Sequence, residues 1–412
     1  MTELHHFDRQ KLNQYHPFTR LRALLDPLQP GVSPKEDGSV VNLSIGEPQT
    51  PPPVDLIEKA MQGNPAGWAK YPLSKGIPDY LNASAEWLTR RYALPEGFIN
   101  PDQHIIAVPG TREGLFFTAL SVLPAPREGE DRPVFLVPNP SYHVYIGAAA
   151  ATDCEVYAVP ATRESGYLPD YSAVPEEILK RTKLCVLCTP SNPEGAVARP
   201  EEVHKLIELA RRYDFVVCFD ECYAEIYFGT PPHSSLETAA KINAQGEDRL
   251  KNILAFHSLS KRSGAAGLRC GFIAGDQNWI TRISTTLQVG GAGVPQPAQA
   301  AGAALWRDED HVVRNRKLYE ENFRIAGDIL GEDFNVELPA GGFCLWLDVG
   351  NGVEATLKLW QEAGIRVMPG AYMSLDDKTG FNPGAAYIRL ALVYDTDFTR
   401  LALERLRDVL KA

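Results

Sequence analysis

Seven short runs of this chain are apolar almost from end to end, and stretches with helical spacing separate them. The runs fall at 105–108, 134–137, 155–159, 184–188, 216–220, 253–256 and 271–274. A strand with one wet face alternates apolar and polar residues, so one that does not alternate is covered on both faces. Pro200–Tyr213 shows the intervening texture: Val203, Leu206, Ile207 and Ala210 recur at helical spacing, and Glu201 and Glu202 occupy the first turn. The chain then passes at once into Phe215-Val216-Val217-Cys218-Phe219. This pattern predicts an α/β fold, a mostly parallel sheet with helices on both faces. Beyond about residue 300 the texture changes to long helical stretches (299–306, 311–330, 353–363, 396–410) with strands at 342–348 and 387–392. The expected organisation is a large α/β domain over 45–297 and a smaller α+β domain built from 1–44 and 298–412.

Composition narrows the function. With 41 Lys+Arg against 52 Asp+Glu the net charge is −11. A surface of that sign repels phosphate backbones, and with no basic patch to offset it nucleic acid is excluded as a partner. No run of about 18 apolar residues exists to span a membrane, and residues 1–10 lack the apolar core of a signal peptide. Seven cysteines, an odd number, lie scattered through strand-like segments. Cys185 and Cys188 have C-x-x-C spacing, but inside an apolar run and without a second ligand pair, so they read as buried small hydrophobes in a reduced cytoplasm rather than a metal or redox site. No metal site is expected.

Three segments carry chemistry. In Ser258-Leu259-Ser260-Lys261-Arg262-Ser263-Gly264, a lysine follows the end of a strand, where ligands bind in open α/β sheets, and Arg269 follows eight residues later. A lysine amine held away from water loses its proton more readily and can condense with an aldehyde. Ser258, Ser260 and the Arg269 guanidinium suit a phosphate; the plain alternative is a surface loop with one solvated lysine. In Phe219-Asp220-Glu221-Cys222-Tyr223, a carboxylate ends a wholly apolar strand, a costly place unless a cation meets it; the alternative is a helix cap. Asn192, in Thr189-Pro190-Ser191-Asn192-Pro193, offers an amide from a stiff loop, or is simply a turn residue.

Together these segments resemble the class I/II aminotransferases, pyridoxal-phosphate enzymes of fold type I, over about residue 40 to the C-terminus. The resemblance implies a large domain with a seven-stranded, mostly parallel sheet covered by helices, plus the smaller α+β domain. It implies Lys261 as the lysine that bonds to the cofactor aldehyde, Asp220 as the partner of the pyridine nitrogen, and Asn192 and Tyr223 at the ring's 3-oxygen. Ser258 and Arg269, with Ser260 less strongly, would hold the phosphate. Val108-Pro109-Gly110-Thr111-Arg112-Glu113-Gly114 is similar to the family's glycine turn, whose N–H groups point at the phosphate. Arg112 stands where many relatives have a small or amide side chain, and either adds charge at the phosphate or points outward. Tyr142 matches the aromatic that stacks on the ring, or is a core tyrosine. Tyr71 matches a tyrosine that reaches the phosphate of the neighbouring subunit, which implies a homodimer with shared sites. Arg389, in Tyr387-Ile388-Arg389-Leu390-Ala391, matches the arginine that grips the substrate α-carboxylate, a task its planar fork suits. Gly46 would meet the same carboxylate through its backbone.

The implied activity is amino transfer between an amino acid and a 2-oxo acid. Residues 287–297 carry no cation where aspartate enzymes of one subgroup place an arginine, and their glycines suggest room for a longer substrate. Residues 15–25, with Gly110-Thr111-Arg112-Glu113-Gly114-Leu115-Phe116, look like those of bacterial N-succinyl-L,L-diaminopimelate aminotransferases, enzymes of lysine biosynthesis that use 2-oxoglutarate and glutamate. The alternatives are an aspartate, aromatic or other aminotransferase, a lyase or decarboxylase using the same cofactor, and a non-catalytic sensor. For the last, the roughly 40 residues before Asn42 are too few and too little basic to form a DNA-binding module.

Overall fold

A computed structural model describes residues 4–242, 248–291 and 293–412. Its main sheet has eight strands, numbered here β1 (Leu4–His6), β2 (Ile105–Val108), β3 (Val134–Asn139), β4 (Glu155–Pro160), β5 (Thr182–Cys188), β6 (Val216–Asp220), β7 (Ile253–Ser258) and β8 (Gly271–Gly275). They lie in the order β1-β4-β3-β5-β6-β7-β8-β2. The four pairings from β4 to β7 are parallel, and β1, β8 and β2 run antiparallel to their neighbours. The seven apolar runs are seven of these strands. The eighth, β1, pairs Leu4 with Tyr157 and His6 with Glu155 at the sheet edge. The expected seven-stranded sheet therefore gains a strand from a segment assigned to the smaller domain.

Apolar side chains above and below the sheet form two separate cores, as expected of strands without a wet face. A third core lies under Cys344–Asp348 and Tyr387–Ala391, which pair antiparallel beneath the helices Asp310–Phe334, Gly352–Ala363 and Thr396–Lys411. Val41-Asn42 joins this part of the molecule through a parallel pairing with Ile365-Arg366. The helix Gln296–Arg307, expected in the smaller domain from residue 298 on, instead packs on Pro78–Tyr92 and buries Ala303, Leu305 and Trp306 in the first core. The change of architecture thus falls after Arg307.

All seven cysteines are unpaired, and Cys185 and Cys188 are buried in β5. Among the described residues no helix is long and apolar enough to cross a membrane. Residues 1–3 of the segment read for a signal peptide lie outside the described residues, as does Ala292 of the glycine-rich 287–297 segment.

Candidate active site

The C-terminal ends of β5, β6 and β7 open onto one hollow, the position at which open α/β sheets bind ligands. It has two lobes of about 200 and 500 Å³. Both lobes are walled by Ile45, Gly46, Thr111, Arg112, Tyr142, Cys222 and Lys261. Asn192, Asp220, Tyr223 and Arg389 line the smaller lobe; Gly110, Ser258, Ser260 and Arg269 line the larger. Tyr71, expected to reach the phosphate of a neighbouring subunit, is 95% exposed and lines neither lobe of its own chain.

Lys261 owes its place to a short helix, Leu259–Arg262, that starts where β7 stops. Ser258 caps it, its Oγ accepting from the Ser260 N–H at 3.1 Å and donating to Ser260 Oγ at 3.0 Å. The Lys261 side chain is half-buried; its amine donates to the Gly46 carbonyl and lies 5.1 Å from the centre of the Phe343 ring. Burial lowers its pKa, and the nearby Arg389 charge pushes in the same direction. A Cβ at position 46 would come within 2.7 Å of the Phe343 ring, so glycine lets the backbone approach that amine.

Asp220 is 3% exposed at the end of β6. Tyr145 donates to its Oδ2 at 3.1 Å, and the Cys222 N–H reaches Oδ1 at 3.4 Å. Burial raises its pKa despite these contacts. Such a carboxylate is matched to a cation that the folded chain does not itself supply, and a protonated pyridine nitrogen is one.

Arg389 occupies the middle of its strand, buried, with Nη1 donating to Asn192 Oδ1 at 3.1 Å and Nη2 to the Ser44 carbonyl at 2.6 Å. Among the described residues its buried Nε has no hydrogen-bond partner. Asn192 and Arg389 are thus in direct contact, which sets the guanidinium plane from the loop that follows β5.

In the larger lobe, Gly110 precedes the helix Thr111–Val122 with φ +99°, a conformation glycine adopts without strain. A Cβ there would sit 2.7 Å from Arg269 Nη2. That nitrogen also donates to the Pro109 carbonyl at 2.7 Å and to both Glu113 carboxylate oxygens at 3.0 and 2.9 Å. The helix N-terminus, two serine hydroxyls and a guanidinium therefore converge on one anion-sized space. Arg112 borders both lobes, its Nε donating to Tyr142 Oη at 3.0 Å.

These residues fit pyridoxal phosphate: a phosphate cradle, an uncompensated buried carboxylate and a depressed amine share one cavity. Sequence reasoning missed Tyr145, which holds Asp220, and Glu113, which balances Arg269. Tyr142 and Tyr145 are three apart beside a helix, a spacing that puts both on one face and was open to inspection. The His16–His143 ring pair, 4.4 Å between centroids, was also missed and left no local signal, because its members are far apart in the chain.

The profile of the family "Aminotransferase class I and II" matches residues 38–406. The LL-diaminopimelate aminotransferase of Syntrophobacter fumaroxidans is 32% identical over 377 residues, covering 89% of this chain and 90% of that protein. That of Desulforudis audaxviator is 32% identical over 380 residues, 90% of each. An aminotransferase of Neisseria meningitidis superposes with a TM-score of 0.86 at 37% identity, covering 96% of this chain and 97% of its own. Aminotransferase AspB of Helicobacter pylori superposes at 0.84 with 32% identity, covering 96% and 98%. A Lys261–Asp220–Arg389 cavity and a family match over nearly the whole chain lead to one conclusion: this chain belongs to the class I and II aminotransferases, pyridoxal-phosphate-dependent transaminases.

Proposed function

We propose that the chain moves the amino group of N-succinyl-L,L-diaminopimelate to 2-oxoglutarate, giving glutamate and the corresponding 2-oxo acid in two half-reactions. The observation that carries amino transfer is the meeting of Lys261, Asp220 and Arg389 in one cavity. A diaminopimelate donor is supported by the relatives named for it, and the N-succinyl form by the residues around Gly110 and 15–25.

Bound pyridoxal phosphate supplies an electron sink that acidifies the substrate α-hydrogen. Gly110, Thr111, Ser258, Ser260 and Arg269 would hold its phosphate, Tyr142 would stack on its ring, and Asn192 and Tyr223 would meet its 3-oxygen. Asp220 keeps a proton on the ring nitrogen, which favours negative charge next to the α-carbon. Arg389 and the Gly46 backbone fix the α-carboxylate so that the α-hydrogen faces Lys261. Lys261, its pKa lowered by burial, takes the proton from that carbon. Glu113, paired with Arg269 at 2.9 Å, offsets its charge.

The site is completed in a homodimer. Trp68, Tyr71, Leu73 and Val289 are exposed apolar residues. The strip beside them is tied together by Gln288 to Ser74 at 2.9 Å and Gln296 to the Tyr71 carbonyl at 3.1 Å. That strip is the surface on which Tyr71 would cross to a second copy.

A second reading, transfer from L,L-diaminopimelate itself, is favoured by the relatives' names. Initial rates with N-succinyl-L,L-diaminopimelate, L,L-diaminopimelate, aspartate and phenylalanine at equal 2-oxoglutarate separate the readings. The succinylated donor is expected to be fastest. A faster free diamine selects the second reading, and faster aspartate or phenylalanine overturns both.

A further inference from the structure

Two residues beyond Lys261 begins a buried chain of three side chains. Ser263 Oγ lies 2.8 Å from His311 Nε2, and His311 Nδ1 lies 2.7 Å from Asp308 Oδ2. Burial lowers the His311 pKa by more than the bond to Asp308 raises it, so the ring is neutral and carries one N–H. A carboxylate only accepts, so that N–H is on Nδ1 and donates to Asp308, and Nε2 accepts from the Ser263 hydroxyl. This is the hydroxyl–imidazole–carboxylate order of a hydrolytic triad. Ser263 and His311 are 0% and 3% exposed, however, and line neither lobe of the cavity, so no substrate reaches the hydroxyl. The three groups act as a tether, not as a nucleophile and its base.

The ends of the tether belong to different parts of the molecule. Ser263 closes the helix Leu259–Arg262, its N–H donating to the Leu259 carbonyl at 3.0 Å. Asp308 ends the helix Gln296–Arg307, which packs in the first core, and His311 lies in the first turn of the helix Asp310–Phe334, which packs in the third. The joint between the two cores is thus bonded to the segment that carries Lys261. Arg262 reaches the same joint through a long side chain, its Nη2 donating to the Asp308 carbonyl at 3.1 Å. The Ser263 hydroxyl sits one carbon off the main chain, so its bond fixes the backbone itself, two residues from the amine. Such placement matters for a base, because a misplacement of about 1 Å can cost about 10²-fold in rate.

We propose that His311 is a positioning residue for amino transfer: through Ser263 it fixes the short Lys261 helix against the joint between the two parts of the molecule, and so holds the amine at the substrate α-carbon. The role builds on Lys261 as the base and is independent of which long donor the enzyme takes.

The imidazole can be cut back from either side. Glutamine keeps an acceptor where Nε2 stood and loses the link to Asp308; asparagine keeps a donor where Nδ1 stood and cannot reach Ser263. With the cofactor-loaded enzyme and glutamate, Ser263→Ala and His311→Asn should each lower kcat about 10- to 100-fold and leave KM nearly unchanged. The double variant should be no slower than either, because each breaks the same bond, and His311→Gln should keep most of the rate. A second readout needs no turnover: the pH dependence of Lys261 labelling by formaldehyde and borohydride in the cofactor-free chain, followed by mass spectrometry. Loosening the helix lets the amine into water, so the labelling curve should move to higher pH in Ser263→Ala and His311→Asn and stay in place in His311→Gln. Thermal midpoints should fall alike in His311→Asn and His311→Gln, since each loses one bond, which separates position from stability. Full kcat with wild-type labelling in Ser263→Ala and His311→Asn would overturn the proposal and leave the three side chains as scaffold. A loss of rate in His311→Gln as deep as in His311→Asn would also overturn it, by tracing the effect to Asp308. Failure of the acceptor reading looks different, because an enzyme that leaves glutamate unreacted still reports the position of Lys261 by its labelling curve.

Discussion

Two pairs of chain neighbours divide the work of this molecule between site and scaffold. Asp220 and Glu221 are both buried carboxylates, one residue apart, yet their surroundings are opposite. Glu221 receives Ser234 Oγ at 2.7 Å, the Ser235 N–H and Oγ at 2.8 Å each, and lies 3.2 Å from His257 Nε2. Burial alone would raise its pKa, and these partners outweigh burial and bring it below the ordinary value. Asp220 has weaker support among the described residues, from Tyr145, from Cys222 and from the more distant charge of His257, and its pKa stays raised by burial. Lys261 and Arg262 repeat the contrast with cations. Arg262 donates to the Leu305 and Asp308 carbonyls at 2.7 and 3.1 Å and to Glu309 at 2.9 Å, with the Trp306 ring 5.1 Å away. Lys261 has one carbonyl and an open cavity. Polar groups that hold the fold together take several partners inside the chain, although Arg262 Nε has none among the described residues; those that face the cofactor space have fewer.

The largest effect expected from this division is on the cations. Lys261→Ala should lower turnover by about 10⁴-fold or more, because nucleophile and base are lost together, and should remove the cofactor's covalent absorbance band. Its thermal midpoint should hold or rise, since a desolvated amine disappears. Arg262→Met should do the reverse, costing about 1–3 kcal/mol in denaturant unfolding through the carbonyls left unpaired. Near-normal turnover of Lys261→Ala would break the contrast at once.

The carboxylate pair should follow with smaller changes in rate. Asp220→Asn is expected to cut turnover about 10²- to 10³-fold while leaving stability level or slightly higher. Glu221→Gln should instead lose about 2–4 kcal/mol of stability, because two serines and His257 lose an ionic partner, and should lower turnover by about tenfold at most. Paired unfolding curves and rates decide it. If Glu221→Gln lowered turnover as deeply as Asp220→Asn with stability intact, the two roles would not be separable.

How much of this was legible without coordinates depended on whether the signal was local. The seven apolar runs became seven strands because burial on both faces leaves a compositional mark on each strand by itself. The residues at the cavity were readable for the same reason, as a charged group ending an apolar strand or a lysine after a capped serine stands out in its own neighbourhood. What stayed hidden were pairings between distant segments. Three residues at β1 carry no alternation to mark them as a strand, and only the free edge of β4 makes them one. The Glu113–Arg269 ion pair joins residues 156 apart. Helix Gln296–Arg307 packs in the first core, which its apolar face could not foretell, because such a face shows that a helix packs but not on what.

Glu194 stands between the two kinds of carboxylate and gives the finest test of the contrast. It follows Asn192 by two residues, is buried, and its Oε1 has no partner, yet it does not line the cavity. Burial pushes its pKa from 4.5 up to about 8, so the folded chain holds it as a neutral acid. Below pH 4.5 folded and unfolded chains both carry the proton. Between that pH and about 8 the unfolded chain has released it and the folded chain has not, so stability falls as pH rises across the window and levels off above it. Glu194→Gln keeps the shape and removes the proton. Its thermal midpoint should therefore decline less steeply than that of the wild type between pH 5 and 8, the window set by the same shift, and turnover should change little. A variant with the wild-type slope would mean that Glu194 is ionised in the fold and has a cationic partner, which would place it with Glu221.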